Sequence, residues 1–230
     1  MYAYLTSSVI LGLVWLVLYF HRKDLRYEMI FVSLLFLPFG LTQPLFVPEY
    51  WNPTVLYKFF GLFDIESLMH TFFIGGIAAS LYEEFFGYFL VRPRGAHAPR
   101  HHAYVVYGTL IISGVVLVAV KFYTSLSVLE AWFAIVVLLA PYFLAVRPDL
   151  IKPSALAGVT FMALYVGILL FVNFVFGGNF ILHEWNFQGL WGQFIFGIPL
   201  EEYVYGFFLG MIFGTVYEEI KNIKLFRKKI

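Results

Sequence analysis

The stretch Ile65-Glu66-Ser67-Leu68-Met69-His70-Thr71-Phe72-Phe73-Ile74-Gly75, running on to Tyr82-Glu83-Glu84, is met again 135 positions later. There it reads Leu200-Glu201-Glu202-Tyr203-Val204-Tyr205-Gly206-Phe207-Phe208-Leu209-Gly210, running on to Tyr217-Glu218-Glu219. In gapless register Glu66, Phe72, Phe73, Gly75, Ile77, Tyr82, Glu83 and Glu84 meet identical residues. Shared apolarity accounts for the paired phenylalanines but not for glutamates in register at both ends of an apolar run. The pattern predicts a duplicated membrane unit with an acidic residue inside each copy. A carboxylate placed in hydrocarbon is costly enough to be read as functional.

Composition agrees with a bilayer setting: 61% of residues are hydrophobic and 21% aromatic, against 13% charged. The absence of cysteine excludes disulfides, thiolate catalysis and thiolate metal sites. A formal net charge of +1 gives no argument for a nucleic-acid partner. The first apolar run, Tyr2 to Phe20, is longer than a signal core and lacks a small-residue cleavage site, so a retained span is expected.

Seven runs are long enough to cross roughly 30 Å of hydrocarbon at about 1.5 Å per residue. They fall near residues 2–20, 28–47, 62–83, 104–123, 127–146, 155–180 and 194–217. Thirteen of the fifteen lysines and arginines lie in the loops after the first, third and fifth runs and in the tail; the other side has only Lys58 and Lys121. That bias predicts a multi-pass protein of the cell membrane with its N-terminus outside and its C-terminus cytoplasmic. The expected fold is therefore an all-α integral membrane protein, seven transmembrane helices arranged as two parallel three-helix repeats and a connector (3+1+3). The divisions expected are residues 1–95 for the first repeat, 96–125 for a basic loop and connector helix, and 126–230 for the second repeat and its basic tail. The repeat also reaches upstream, where Glu49-Tyr50-Trp51-Asn52 parallels His183-Glu184-Trp185-Asn186. The loop Arg92–His102, with two prolines, is the expected mobile connection.

At these residues the chain resembles a family. Ile198-Pro199-Leu200-Glu201-Glu202, followed by an aromatic-rich helix ending in Tyr217-Glu218, is similar to the signature of the membrane-integral lycopene cyclases. The resemblance implies two homologous three-span units, which in that family occur on separate chains or fused. It implies an acidic motif as the catalytic element, and no relation to the flavin-binding soluble-type cyclases. The likeness covers the whole chain in layout and is specific in the second half. In the first half the Pro-x-Glu-Glu pattern reads Asp64-Ile65-Glu66-Ser67. The implied partners are a lipophilic polyene such as lycopene and the lipid bilayer, with an oligomer compatible with both.

The implied reaction explains why carboxylates would sit here. Cyclising a polyene end requires a proton on the terminal double bond, attack of a neighbouring double bond on the resulting tertiary cation, and loss of a proton from the new ring. The step is redox-neutral, so no cofactor is expected. One group must donate a proton and another accept one, and two carboxyl groups in different environments can divide those roles. Aromatic faces stabilise a cation without trapping it as water would. The candidate catalytic residues are thus Glu201, Glu66 and Glu202. On helical spacing Glu66, His70 and Phe73 share one stripe, and Glu201, Tyr205 and Phe208 the matching one. His70, Phe73, Tyr205, Phe208, Asp64, Trp185 and Trp51 are the expected substrate contacts. Glu202 points about 100° from Glu201, towards the ladder Gly206, Gly210 and Gly214, which predicts a tightly packed seam. Glu201 and Glu66 are therefore expected to face a shared cavity.

The competing structural reading of these glutamates is interhelical hydrogen bonding or a helix N-terminus, where acidic residues and Pro199 are favoured anyway. Glu83, Glu84, Glu218 and Glu219 are expected to anchor the cytoplasmic interface or pair with the basic loops. His97, His101 and His102 are read as solvated loop histidines and no metal site is expected. Asn173 and Gln43 read as contacts between helices. Two other functions compete. A small-solute transporter of 3+1+3 design would want polar groups along its whole path, whereas the acids here concentrate at two helix starts. A non-catalytic polyene- or lipid-binding homologue would fit the altered first motif. A retinal protein is excluded by the lack of a lysine in the last run before Lys221. The topology is testable: reporter fusions should place the two termini on opposite sides of the membrane, and finding both on one side would remove the connector span.

Overall fold

In the computed structural model, residues 2–91 and 100–227 are described. Helix α1 spans Ala3–His21, and α2 (Arg26–Phe36) runs through a tighter turn, Leu37–Thr42, into α3 (Gln43–Phe46). A short hairpin, β1 (Lys58–Phe59) and β2 (Phe63–Asp64), leads into α4 (Ile65–Phe86), which is followed by β3 (Tyr88–Val91). Next come α5 (Arg100–Tyr123), α6 (Val128–Val146), α7 (Ile151–Val175) and α8 (Asn179–Glu184). A second hairpin, β4 (Phe194–Ile195) and β5 (Ile198–Pro199), precedes α9 (Leu200–Phe213), α10 (Val216–Lys221) and β6 (Lys224–Arg227).

Four segments are long and apolar enough to cross a membrane: Ala3–His21, Arg26–Phe46, Ala103–Tyr123 and Pro148–Val175. The protein is thus a predominantly helical, membrane-associated molecule. The glutamate-bearing helices α4 and α9 are not among the four. Glutamates and glycines dilute their apolar character, and much of their surface is turned inward. The all-α expectation holds for the fold as a whole, with three short two-stranded antiparallel sheets among the described residues. One expectation needs correction: the run 194–217 is not one helix but a hairpin, then α9, then a break at Gly214–Thr215, then α10. The turn residues explain the hairpins. Phe196 and Gly197, with φ of 51° and 78°, form a two-residue connection of the kind that needs left-handed backbone at both positions. Phe60 and Gly61 repeat it with φ of 51° and 71°, with Leu62 added to the loop. The expected mobile loop falls largely outside the described residues, including His97; Arg100–His102 form the first turn of α5.

Packing follows the small residues. The α9 ladder lies on α7, where a Cβ on Gly210 would meet Phe161 Cβ at 2.6 Å and Gly158 Cα at 3.0 Å. On α4, a Cβ on Gly75 would meet Phe36 Cβ and the Val32 carbonyl at 2.8 Å. The two helix pairs α2–α4 and α7–α9 are therefore brought to backbone-level approach by glycine. They join through a close tilted ring pair, Phe36 and Phe213 lying 4.1 Å apart between centroids at 45° between planes. Ion pairs tie one end of the bundle. Arg22 bridges Asp24 (2.8 Å) and Glu84 (3.1 Å), and its guanidinium holds the Asp24 carboxyl below its ordinary pKa. Arg147 grips Asp149 at 2.8 Å and the Glu218 carbonyl at 3.1 Å. β3 pairs with β6 beside them. Hence α1, α4 and α9–α10 run one way through the bundle and α2 and α7 the other.

The glycine seam gives a stability prediction. Gly210→Val should lower the melting temperature in detergent clearly, at a cost of about 1–3 kcal/mol for overpacking. Gly108→Ala, where an added Cβ meets nothing within 4 Å, should leave it unchanged or slightly raised. Equal effects of the two would show that the seam is not what holds α9 to α7.

Candidate active site

The two glutamates expected to face a cavity do something else. Glu201 sits in the first turn of α9 and turns back to the loop before β4, where its Oε1 accepts from the Trp191 backbone amide. Glu66 occupies the first turn of α4 and accepts from the Leu56 amide at 2.7 Å. Both are fully buried. In each case a carboxyl at a helix start anchors the chain that enters its hairpin, and Asp64 caps α4 by accepting from the Ser67 amide at 2.7 Å. The reason is local: backbone amides without a helical or sheet partner need acceptors when buried, and the first-turn acidic residue is the nearest.

Glu202 is the carboxyl on the cavity, which reverses the expected order. Its Oε1 accepts from Trp185 Nε1 at 2.7 Å and from the Tyr50 hydroxyl, and its Oε2 from the Tyr165 hydroxyl at 2.6 Å. The side chain points along the glycine seam, as the helical spacing predicts. The seam opens at that level because α7 presents Tyr165, with a ring and a hydroxyl, where Ala157 and Gly158 lie further along. Three donors from three separate segments therefore converge on one carboxyl.

Two clefts meet there. The inner one is lined by Tyr50, Trp51, His70, Tyr165, Trp185 and Glu202 among others. The longer one passes Leu117, Val136, Leu150 and Phe213 and reaches Glu219. Phe39, Thr42, Phe46, Thr71, Trp132 and Tyr205 line both, so the two clefts adjoin along a shared wall, one at the polar head and the other extending towards the far end of the bundle. The head is rich in rings: Tyr165–Tyr205 centroids lie 5.7 Å apart, Trp132–Tyr205 5.2 Å and Trp51–Trp185 5.7 Å. His70 lies among Tyr4 and Tyr165, and its Nδ1 has no hydrogen-bond partner.

Of the substrate contacts expected from sequence, His70, Tyr205, Trp51 and Trp185 do line the inner cleft. Phe73 does not; it packs on Trp15 and Gly12 of α1. Phe208 lies against Phe207 and lines neither cleft, and Asp64 is occupied as a helix cap. The stripe argument fails for these because both helices are packed on more than one side. Tyr50, Tyr165 and Trp132 were missed. Tyr50 had a signal, lying in Glu49-Tyr50-Trp51-Asn52; Tyr165 and Trp132 had none beyond being ring donors inside apolar helices. Gln43 lines the inner cleft, while Asn173 accepts from the Ile181 amide at 3.2 Å.

The expectation for the other four glutamates holds for two. Glu84 pairs with Arg22 and with His21 at 3.2 Å, and Glu219 approaches Arg147 at 3.9 Å. Glu83 and Glu218 are instead fully buried, and their carboxyl groups meet no basic side chain among the described residues.

The family model described as lycopene cyclase matches residues 121–220, the segment that supplies Glu202, Tyr165, Trp185 and Tyr205. No curated protein and no solved structure matches the chain. Residues 121–220 are thus similar to the lycopene cyclase family, within a molecule that has four helices long and apolar enough to cross a membrane.

Proposed function

We propose that the protein closes the end of a linear polyene such as lycopene into a ring by proton transfer at Glu202, with the end group in the inner cleft and the rest of the chain along the longer one. The observation that carries this reading is the single carboxyl, gripped by three donors, in an aromatic cleft that adjoins a longer apolar one. Glu202 gives its proton to the terminal double bond. The tertiary cation is attacked by the neighbouring double bond, and the new ring then loses a proton. Atoms balance within the substrate and no electron is exchanged. Trp185, Tyr50 and Tyr165 are placed to stabilise the anion that forms on Glu202 as the proton leaves. The rings of Trp51, Trp132 and Tyr205 offer π faces to the cation and keep water away. The carboxylate, or the unpartnered Nδ1 of His70, takes the proton back. Glu66 and Glu201 act as positioning residues, holding the loops before the two hairpins. The likeness of the hairpins and helix pairs in the two halves supports two three-helix units flanking α5, in a seven-span chain with a cytoplasmic C-terminus.

In a lycopene-accumulating host, Glu202→Gln should abolish ring formation, a loss of at least a hundredfold, while the protein still inserts and stays monodisperse in detergent. Glu201→Gln and Glu66→Gln should reduce pigment through lower protein stability, with residual cyclisation by the folded fraction. Full activity of Glu202→Gln would remove the proposed proton donor.

Because the steps are redox-neutral, purified protein in liposomes should cyclise its substrate without added flavin or nicotinamide. In deuterated water each new ring should gain one deuterium, at the carbon protonated first. A strict requirement for reduced flavin, or rings free of deuterium, would assign the chemistry to another mechanism.

A further inference from the structure

At the other end of the bundle, three carboxyl groups from three helices converge. Glu28 comes from the first turn of α2, Glu83 from the last turn of α4 and Glu218 from α10. Their relative exposures are 1%, 0% and 0%, and one oxygen of each lies within 4.8 Å of the others. Glu218 accepts from the Tyr82 hydroxyl at 2.7 Å, and the same hydroxyl reaches Glu83 at 3.5 Å. Among the described residues neither oxygen of Glu28 has a partner, and one oxygen of Glu83 and one of Glu218 are likewise unpartnered. The nearby cations are committed elsewhere: Arg22 to Asp24, Glu84 and the Tyr88 carbonyl, Arg147 to Asp149 and the carbonyls of Glu218 and Ile223. The 16 positions from Glu202 to Glu218, at about 1.5 Å each, set the cluster up to about 24 Å away at the other end of the α9–α10 segment, so it is not part of the proposed active site.

We infer that Glu28, Glu83 and Glu218 form a site for one hard divalent cation of the magnesium, manganese or calcium class. Oxygen ligands around such an ion sit at about 2.0–2.6 Å from it, which places them about 3 to 5 Å from one another, the spacing found here. Carboxyl groups sharing protons would instead lie at hydrogen-bonding distance, and among the described contacts none of the three bonds another. An unpartnered buried carboxyl is one of the costliest groups a protein can hold, and a cation satisfies all three at once. Tyr82 supplies a fourth oxygen at the edge of the group. The ion ties α2 and α4 of the first half to α10 of the second, so its role is to clamp the halves at the end opposite the cleft head.

The full chain, purified in detergent and stripped with EDTA, is titrated with Mn²⁺ while free ion is followed by electron paramagnetic resonance. The site requires about one saturable Mn²⁺ per chain, displaced by excess Ca²⁺ or Mg²⁺. Glu28→Gln and Glu83→Gln should each weaken binding at least tenfold, and Glu84→Gln, whose carboxyl belongs to Arg22 and His21, should not. A measurement on the unsubstituted protein guards against variants that fail to fold: stripped protein should melt several degrees below Mn²⁺-loaded protein. Absence of saturable binding to monodisperse wild-type protein overturns the proposal. So does binding that survives the double change Glu28→Gln, Glu83→Gln, which would place the ion elsewhere.

Discussion

A carboxyl group inside an apolar bundle must be given something to bond, and much of this molecule is arranged around that requirement. The structure meets it in three ways. Glu66 and Glu201 are satisfied by backbone amides of the loops that precede their helices, so they set how the chain enters α4 and α9. Glu202 is satisfied by aromatic side chains that reach it from α7, from the segment after α3 and from the end of α8. Glu28, Glu83 and Glu218 are gathered within 4.8 Å of one another, with the Tyr82 hydroxyl on Glu218 and the remaining oxygens left to the proposed cation. What lies across from each helix separates the three outcomes: loop amides for Glu66 and Glu201, ring donors for Glu202, and other carboxyl groups where helix ends converge.

The same requirement makes the two matched stretches unequal. In the gapless register Ser67 stands opposite Glu202 and His70 opposite Tyr205. Ser67 accepts from the Tyr4 hydroxyl at 3.1 Å, a neutral contact with no counterpart of the three-donor grip. His70 nevertheless reaches into the same inner cleft as Tyr205, because the two helix pairs meet face to face across it. The first half thus contributes wall and an imidazole, and the second half contributes the carboxyl. An arrangement with one acidic head is suited to handling one polyene end at a time.

The shape of the cleft ties the packing to the chemistry. Glycines draw α9 onto α7 and α4 onto α2, leaving the space between the two pairs to be closed by larger rings and by α5 and α6. Phe36 and Phe213 close it at mid-height, and the tryptophans and tyrosines close the head. The result is a mostly apolar pair of clefts with Glu202 and its ring donors at the head and Glu219 at the far end.

Much of this was legible in the residues. The matched stretches, the apolar runs and the glycine ladder identified most of the helices, a tightly packed seam along Gly206, Gly210 and Gly214, and the acidic positions. Those features depend on local pattern: hydrophobic period, small residues at every fourth position, acids at helix starts. The hairpins escaped because the turn pairs Phe60-Gly61 and Phe196-Gly197 sit inside aromatic runs that hide them. Which glutamate faces the cleft was decided only in three dimensions. A helical projection gives the direction of Glu202 but not that Tyr165 stands opposite it, nor that amides of a hairpin loop lie beside Glu201. The convergence of Glu28, Glu83 and Glu218 is the extreme case: these residues are separated by up to 190 positions, and nothing in the sequence near any of them names the other two. Local order follows from neighbours along the chain, whereas a site follows from neighbours across it, and those are set only when the helices pack.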